Sequence, residues 1–342
     1  MPFGTALFRA LKASAICLAI FMPTAAFAVP LHGVDVQVNE GKPVPTVVQL
    51  QTLLNPNDIV RDVLGWQKVD PHCDLARNPA HFKLPAAMAQ LYSNVEQAGG
   101  RNFVTLAFNN KHCGQTVVAA GKAFPDTDAL RAEFAAYAVA VVRNVPNLAG
   151  ISIWNEMNGQ FNGGYATQDE AMAAYCRLAN AVVAAVRVGN PTLPIAIGAT
   201  GGPDIDIWFI PLFDQHGCVG KADPTIWLDV HPYLGGVVDP ATGLVDWDSW
   251  NQSLGKVRAD NISNQLIATE WGDSIAAKWL AANPAGNYMS VFDTNVTARD
   301  GGWAALAWYE AIYDKAVPRS GLFGQDGVTL SPLGMQYVGA YK

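Results

Sequence analysis

Glu156 and Glu270 stand where burial alone explains a carboxylate poorly. Each follows a short apolar run with the composition of a buried strand (148–153 and 266–269), and loop-like residues come directly after each. A carboxylate at the end of a hydrophobic strand carries a desolvation cost unless it is paired or used. Two of them at the mouth of one barrel supply what glycosidic bond hydrolysis requires, a proton donor and a nucleophile or base. Singly, each has an ordinary alternative: Glu156 as a residue at a helix N-terminus, Glu270 as an acid in a surface loop. Together they gain weight from other polar and aromatic residues at predicted strand ends. These are Arg61 and Trp66, Asn109 and Asn110, Asn155, His231 and Tyr233, Trp271 and Trp308.

The elements that must position these residues alternate along the chain. Strand-like runs fall at 34–38, 59–64, 102–108, 149–153, 194–197, 226–230, 266–269 and 303–308. Most are rich in Val, Ile, Leu or Phe, as strands covered on both faces should be. Helical periodicity fills the intervals, over 84–97, 126–143 and 168–188. In the last of these Ala171, Ala174, Leu178, Val182 and Ala185 recur at helical spacing before Asn190-Pro191. A final helix is expected from Ser331-Pro332. Eight such units predict an α/β fold, a single (β/α)8 TIM barrel over 29–342, whose functional groups gather at the carboxyl ends of the strands. A doubly wound sheet is disfavoured because no Gly-rich dinucleotide turn follows the first strand.

With these residues on one rim, the chain resembles the retaining glycoside hydrolases of clan A. Asn155-Glu156 after strand 4, His231-Pro232-Tyr233 after strand 6, Glu270 after strand 7 and Trp308 on strand 8 carry the likeness. Within the clan it looks most like family 39, in its compact branch acting on exopolysaccharides, with family 5 second. Family 5 members carry a histidine near the end of strand 3, where this chain has Asn109-Asn110 and only then His112. The resemblance implies Glu156 as acid/base, its pKa raised by the apolar surroundings of Ile153 and Trp154, and Glu270 as nucleophile. It implies that Tyr233 and Arg61 keep Glu270 ionised, and that Asn155 bonds the sugar 2-hydroxyl. His231 would position Glu156 or the substrate, and Trp308 would stack on a sugar ring. From their places on the rim, Asn110 is a substrate-binding candidate, and Trp66 and Trp271 are subsite platforms or, as often for tryptophan, simply core. Arg61 has an alternative as the ion-pair partner of Asp62 or Asp70. Phe161, Tyr165, Trp208, Trp247, Trp250 and Phe323, in expected rim loops, suggest an extended glycan and endo action, with an exo-acting β-xylosidase or a non-catalytic carbohydrate-binding barrel as alternatives. No cofactor or metal is implied, and the expected state is a monomer acting on a polysaccharide or oligosaccharide.

Arg9 and Lys12, the apolar stretch 13–22 and Ala26-Phe27-Ala28 form a secretory signal pattern, with cleavage expected after Ala28. The apolar run is well short of the roughly 18 residues that a membrane span needs, so a secreted or periplasmic protein without a membrane anchor is expected. The chain has 22 Lys and Arg against 29 Asp and Glu. Loss of Arg9 and Lys12 leaves 20 against 29, a formal charge of −9. That balance argues against nucleic acid and anionic membranes as partners. Cys73, Cys113, Cys176 and Cys218 remain after cleavage, an even number suited to disulfides. The pairing Cys73–Cys113 and Cys176–Cys218 is expected, with a Cys2His2 metal site through His72 and His112 as the alternative. His-Glu-x-x-His, Gly-x-Ser-x-Gly and phosphate-binding loops are absent from the sequence.

Overall fold

The computed structural model describes residues 30–115, 123–159, 165–232, 247–312 and 321–342, without the side chains of 273–275. Eight parallel strands close into a barrel in chain order. They are β1 (Leu31–Asp35), β2 (Ile59–Gly65), β3 (Arg101–Ala107), β4 (Leu148–Ile153), β5 (Ile195–Gly201), β6 (Ile226–His231), β7 (Leu266–Gly272) and β8 (Trp303–Tyr309). Closure comes from β1 pairing with β8, with Leu31 opposite Ala305 and Val34 opposite Trp308. The expected leader lies outside the described residues, as do Tyr233 and Phe161.

Outside the barrel lie α1 (Val47–Leu53), α2 (Trp66–Val69), α3 (Ala86–Gln97), α4 (Asp128–Asn144), α5 (Gln168–Arg187), α6 (Asp206–Asp214), α7 (Asp248–Ala259), α8 (Asp273–Ala282), α9 (Tyr288–Asn295) and α10 (Pro332–Tyr341). Their starts follow the local chemistry of orphan N–H groups. Thr127 accepts from the Leu130 amide, Thr167 from Glu170 and Ser331 from Gly334, each capping a helix. On α5 the expected apolar stripe is turned inward, with Ala171, Ala174, Leu178 and Val182 buried.

Strand residues alternate between two environments. One set faces the helices and joins the large outer core. The other faces the barrel axis. There Ile59, Phe103, Ala149, Ala196, Ile267, Ala305 and Ala307 form a separate apolar cluster. Further along the same strands the inward positions turn polar: Asp35, Arg61, Thr105, Ser152, Asp229 and Thr269 are all without exposure. The barrel is therefore filled by an apolar layer beneath a charged one.

Both disulfides form in the expected pairing, with Cα atoms 5.1 Å apart for Cys73–Cys113 and 4.9 Å for Cys176–Cys218. The sulfurs are thus committed to each other, and the Cys2His2 alternative has no thiolates to use. His81 instead meets Asp74 at 3.0 Å, and its ring lies 5.4 Å from that of His72.

Candidate active site

Arg61 organises one half of the charged layer. It projects inward from β2 with no exposure, and its donors fan out across the barrel. Nη1 donates to Asp35 Oδ2 at 2.9 Å and to Glu270 Oε1 at 2.7 Å. Nη2 donates to Asn155 Oδ1 at 2.6 Å, and Nε to Thr105 Oγ1 at 2.9 Å. The alternative partners Asp62 and Asp70 receive no hydrogen bond from it. Burial would lower the Arg61 pKa, but Asp35, Glu270, Asp229 and Asp62 reverse this and hold it above its ordinary value. Asn155 is oriented by the same contact: with its carbonyl on Arg61, its amide nitrogen is the end left to offer a ligand.

Glu156 is delivered by an unusual turn. Trp154 (φ 72°) and Glu156 (φ 45°) both adopt left-handed backbone just past β4, a conformation that costs a non-glycine residue about 1–2 kcal/mol. Packing holds it in place. The buried Trp154 ring lies 5.0 Å from Phe124, 5.7 Å from Phe108 and 6.0 Å from Phe134, on the helix side of the barrel. The apolar wall expected around Glu156 is therefore elsewhere, because Ile153 and Trp154 point away from the axis. Glu156 instead faces Gly201 and His231. A Cβ added at Gly201 would lie 3.1 Å from Glu156 Oε1. Asn158 fixes that glycine by bonding both its N–H and its carbonyl, at 2.9 and 2.7 Å.

His231 joins the two glutamates. Its Nδ1 is 3.4 Å from Glu156 Oε1 and 3.7 Å from Glu270 Oε2. One oxygen of each glutamate and a ring nitrogen of His231 lie within 4.8 Å of one another. Beneath it runs a relay. Asp229 Oδ1 accepts from the Thr269 hydroxyl at 2.8 Å, and His231 Nε2 lies 2.9 Å from that hydroxyl oxygen. A hydroxyl has one proton. With that proton directed at Asp229, His231 Nε2 must be the donor, and Nδ1 is the nitrogen that faces Glu156. Ser152 also donates to Asp229. Burial lowers the His231 pKa, but Glu270, Glu156 and Asp229 outweigh it and the net displacement is upward. Burial pushes Asp229 up. The two carboxylates and the imidazole form a geometry that could hold a cation, but Arg61 already places a permanent positive charge on Glu270.

Glu156, Glu270, Asn155, His231 and Arg61 are thus brought together. The remaining expectations separate. Tyr233 lies outside the described residues. Trp66, Trp271 and Trp308 are fully buried, so none offers a ring to a ligand. Trp66 packs near Phe134 and donates Nε1 to Asp70. Trp271 and Trp308 lie 4.8 Å apart, against Phe292 and Tyr288 of α9 and Tyr337 of α10. Strand parity explains the error on β8. Ala305 and Ala307 point inward, so Trp308 points outward and Tyr309 takes the inward position at the strand end. Asn110 is structural: its buried amide donates to the Asp70 carbonyl at 2.6 Å and accepts from the His112 amide at 3.0 Å. In neighbouring Asn109 both amide atoms are buried and unpartnered. Of the aromatics expected on the rim, Trp208, Trp247, Trp250 and Phe323 are buried in the core, and Tyr165 is half-buried against Phe124. Sequence reading missed Asp35, Asp229, Thr269 and Gly201. Single acids inside apolar runs, as in Leu228-Asp229-Val230, were the signal available.

No family profile matches the chain, and no curated protein sequence matches it. Solved structures do. A family 39 glycoside hydrolase from the gut symbiont Bacteroides cellulosilyticus WH2 superposes with a TM-score of 0.65 and 20% identity, covering 91% of this chain and 64% of the other. A monomeric β-xylosidase from Caulobacter crescentus CB15 gives 0.57 and 16%, over 90% of this chain and 66% of that one. XacCel5A, solved with cellopentaose, gives 0.56 and 14%, over 92% and 99%. The chain thus spans less than two thirds of the length of the first two. What it shares with all three is the barrel.

Proposed function

We propose that this chain is a retaining β-glycoside hydrolase with Glu156 as acid/base and Glu270 as nucleophile. The observation that carries the reading is a pair of carboxylates at one barrel mouth, one oxygen of each within 4.8 Å of the other, in unequal electrostatic settings. Glu270 accepts from a buried guanidinium, which favours its anion. Glu156 is a quarter exposed and faces an imidazole able to exchange a proton with it. Oxygens that close fit the short separation of a nucleophile and acid, roughly 5–5.5 Å between carboxyl groups, better than the roughly 6.5–9.5 Å of inverting enzymes. The likeness to glycosidase barrels supports this reading without assigning a substrate.

In the first step a Glu270 oxygen bonds to the anomeric carbon as the glycosidic C–O bond breaks, and the departing oxygen takes the Glu156 proton. In the second, Glu156 removes a proton from water, whose oxygen displaces Glu270 and restores both carboxyls. Asn155 Nδ2 donates to the sugar 2-hydroxyl, its direction set by Arg61. Glu156 must hold a proton in one step and accept one in the next, and His231 Nδ1 stabilises either state. The substrate class is a β-linked oligosaccharide or polysaccharide. Two disulfides support export to an oxidising compartment, and among the described residues no helix is long and apolar enough to cross a membrane.

The decisive experiment is reducing-end release from β-linked glycans by the wild type and Glu270→Gln, with the product anomer followed by NMR. Release with retained configuration, lost in the variant, is expected. Inverted product removes the nucleophile assignment. Glycan binding without release, unchanged by Glu270→Gln, makes this a carbohydrate-binding barrel. Product length separates endo action from a β-xylosidase-like exo action.

A further inference from the structure

We infer that Asp35, on β1, and Glu270 hold a single proton between them across Arg61, so that Asp35 is a positioning residue setting the charge on Glu270. Its catalytic meaning rests on Glu270 being the nucleophile; the electrostatic coupling does not.

One nitrogen serves both acids. Arg61 Nη1 donates to Asp35 Oδ2 and to Glu270 Oε1, at 2.9 and 2.7 Å, while Nη2 and Nε are committed to Asn155 and Thr105. Each carboxylate therefore competes with the other for the same group. The side chains of Arg61 and Asp35 have no exposure, and that of Glu270 only 8%. Solvent compensates little of whatever charge is present. Asp35 is poorly served as an anion: Oδ2 has Arg61 and a 3.3 Å bond from Gln37 Nε2, but Oδ1 is buried with no partner.

The surrounding charges deepen the deficit. Burial pushes Asp62, the residue after Arg61, well above the usual carboxylate range and raises Asp229 on β6 too, so neither acid is well served as an anion; Glu310 is buried just past β8, beside the Ala311 amide that donates to the Asp35 carbonyl. His231 is 3.7 Å from Glu270. Among the described residues Arg61 is thus the one permanent cation set among Asp35, Asp62, Asp229 and Glu270, and all four acids cannot be anions at once without a large desolvation cost. The proton affinity of Asp35 follows: burial pushes its pKa up to about 7, against the pull of Arg61 and with a further push from Glu270. Coupling of this kind is reciprocal, and the apparent pKa values belong to the pair. A charge on Glu270 keeps the proton on Asp35. Remove that charge and Arg61 turns wholly to Asp35, which then ionises at lower pH.

The test is a ¹³C-carboxyl NMR titration of the full chain as wild type, Asp35→Asn and Glu270→Gln. A carboxyl titrating near neutrality is expected in the wild type and missing in Asp35→Asn. In Glu270→Gln it should move down by about one unit or more, a tenfold change in proton affinity. If Asp35→Asn does not fold, Asp35→Glu assigns the resonance by moving it into the glutamate region. A near-neutral titration that survives the Asp35 substitution, or is unmoved in Glu270→Gln, overturns the inference. A kinetic arm separates positioning from structure. In Asp35→Asn the acid limb of kcat/KM should move to lower pH, because Glu270 then has Arg61 undivided; lower activity with an unmoved limb makes Asp35 merely structural. Absence of hydrolysis by the wild type would sink the nucleophile reading, while the titration would still decide whether the two acids share a proton.

Discussion

At Glu156 the nearest described proton-exchanging group is His231, and that contact defines what substitution should do. Glu156→Gln should lower kcat by about 10²–10⁴ on glycosides with poor leaving groups. On aryl glycosides of acidic phenols the loss should be much smaller, because departure there needs no proton; an equal loss across the series would defeat the acid role. One bond further in, Thr269→Val removes the hydroxyl oxygen that His231 Nε2 faces. With no acceptor at Nε2, the His231 proton is expected on Nδ1 instead, toward the two glutamates. An activity loss of about 10- to 100-fold is expected, with the tautomer read by ¹⁵N NMR of His231; an unchanged tautomer would refute the relay. Glu156 and Glu270 were legible in the sequence because each breaks an apolar run at its end. Asp35 and Asp229 were not. An acid inside a strand acquires meaning only when its neighbours across β2, β6 and β7 are known, and those lie far away in sequence, as the separation of 209 positions from Arg61 to Glu270 shows.

Among the elements, the eight strands were readable because burial on both faces gives nearly unbroken apolar runs. Their ends were less so. The Val-rich composition suggested a first strand at 34–38, whereas β1 is Leu31–Asp35, held by pairing with β2 and β8. On β8 a single residue of parity separates a ligand platform from a core tryptophan. Trp308 occupies the space above Gly272, where an added Cβ would come within 2.7 Å of the ring. Trp308→Ala should therefore destabilise the fold by about 3–5 kcal/mol, measured by denaturant titration, with KM of the folded enzyme little changed. A raised KM with full stability would restore the platform role. The rim aromatics misled for the same reason: size and hydrophobicity announce burial or stacking equally well.

For the whole molecule, barrel architecture followed from the order of elements, and the disulfide pairing from the loops and consecutive helices in which the cysteines lie; acid sensitivity follows from burial. His32 is buried, stacked 3.7 Å from Tyr341, with its pKa lowered by burial from 6.5 to about 4. The folded chain keeps this ring neutral while the unfolded chain protonates it. Its stabilising contribution is therefore present above about pH 6.5 and lost as pH falls toward 4, amounting to about 3 kcal/mol. In His32→Phe, unfolding free energies at pH 7, 5 and 4 should gain on the wild type by that amount across the window; a constant difference would count against it. The closing seam between β1 and β8 bears also on folding. A ribosome produces Asp35 and Arg61 first, Glu156 about a hundred residues later and Glu270 a further hundred on, and the cradle exists only once the late strands dock against the early ones. A growing chain, however much helix and strand it has formed, is chemically silent until then, and its first buried carboxylates must wait for their counter-charges to be completed.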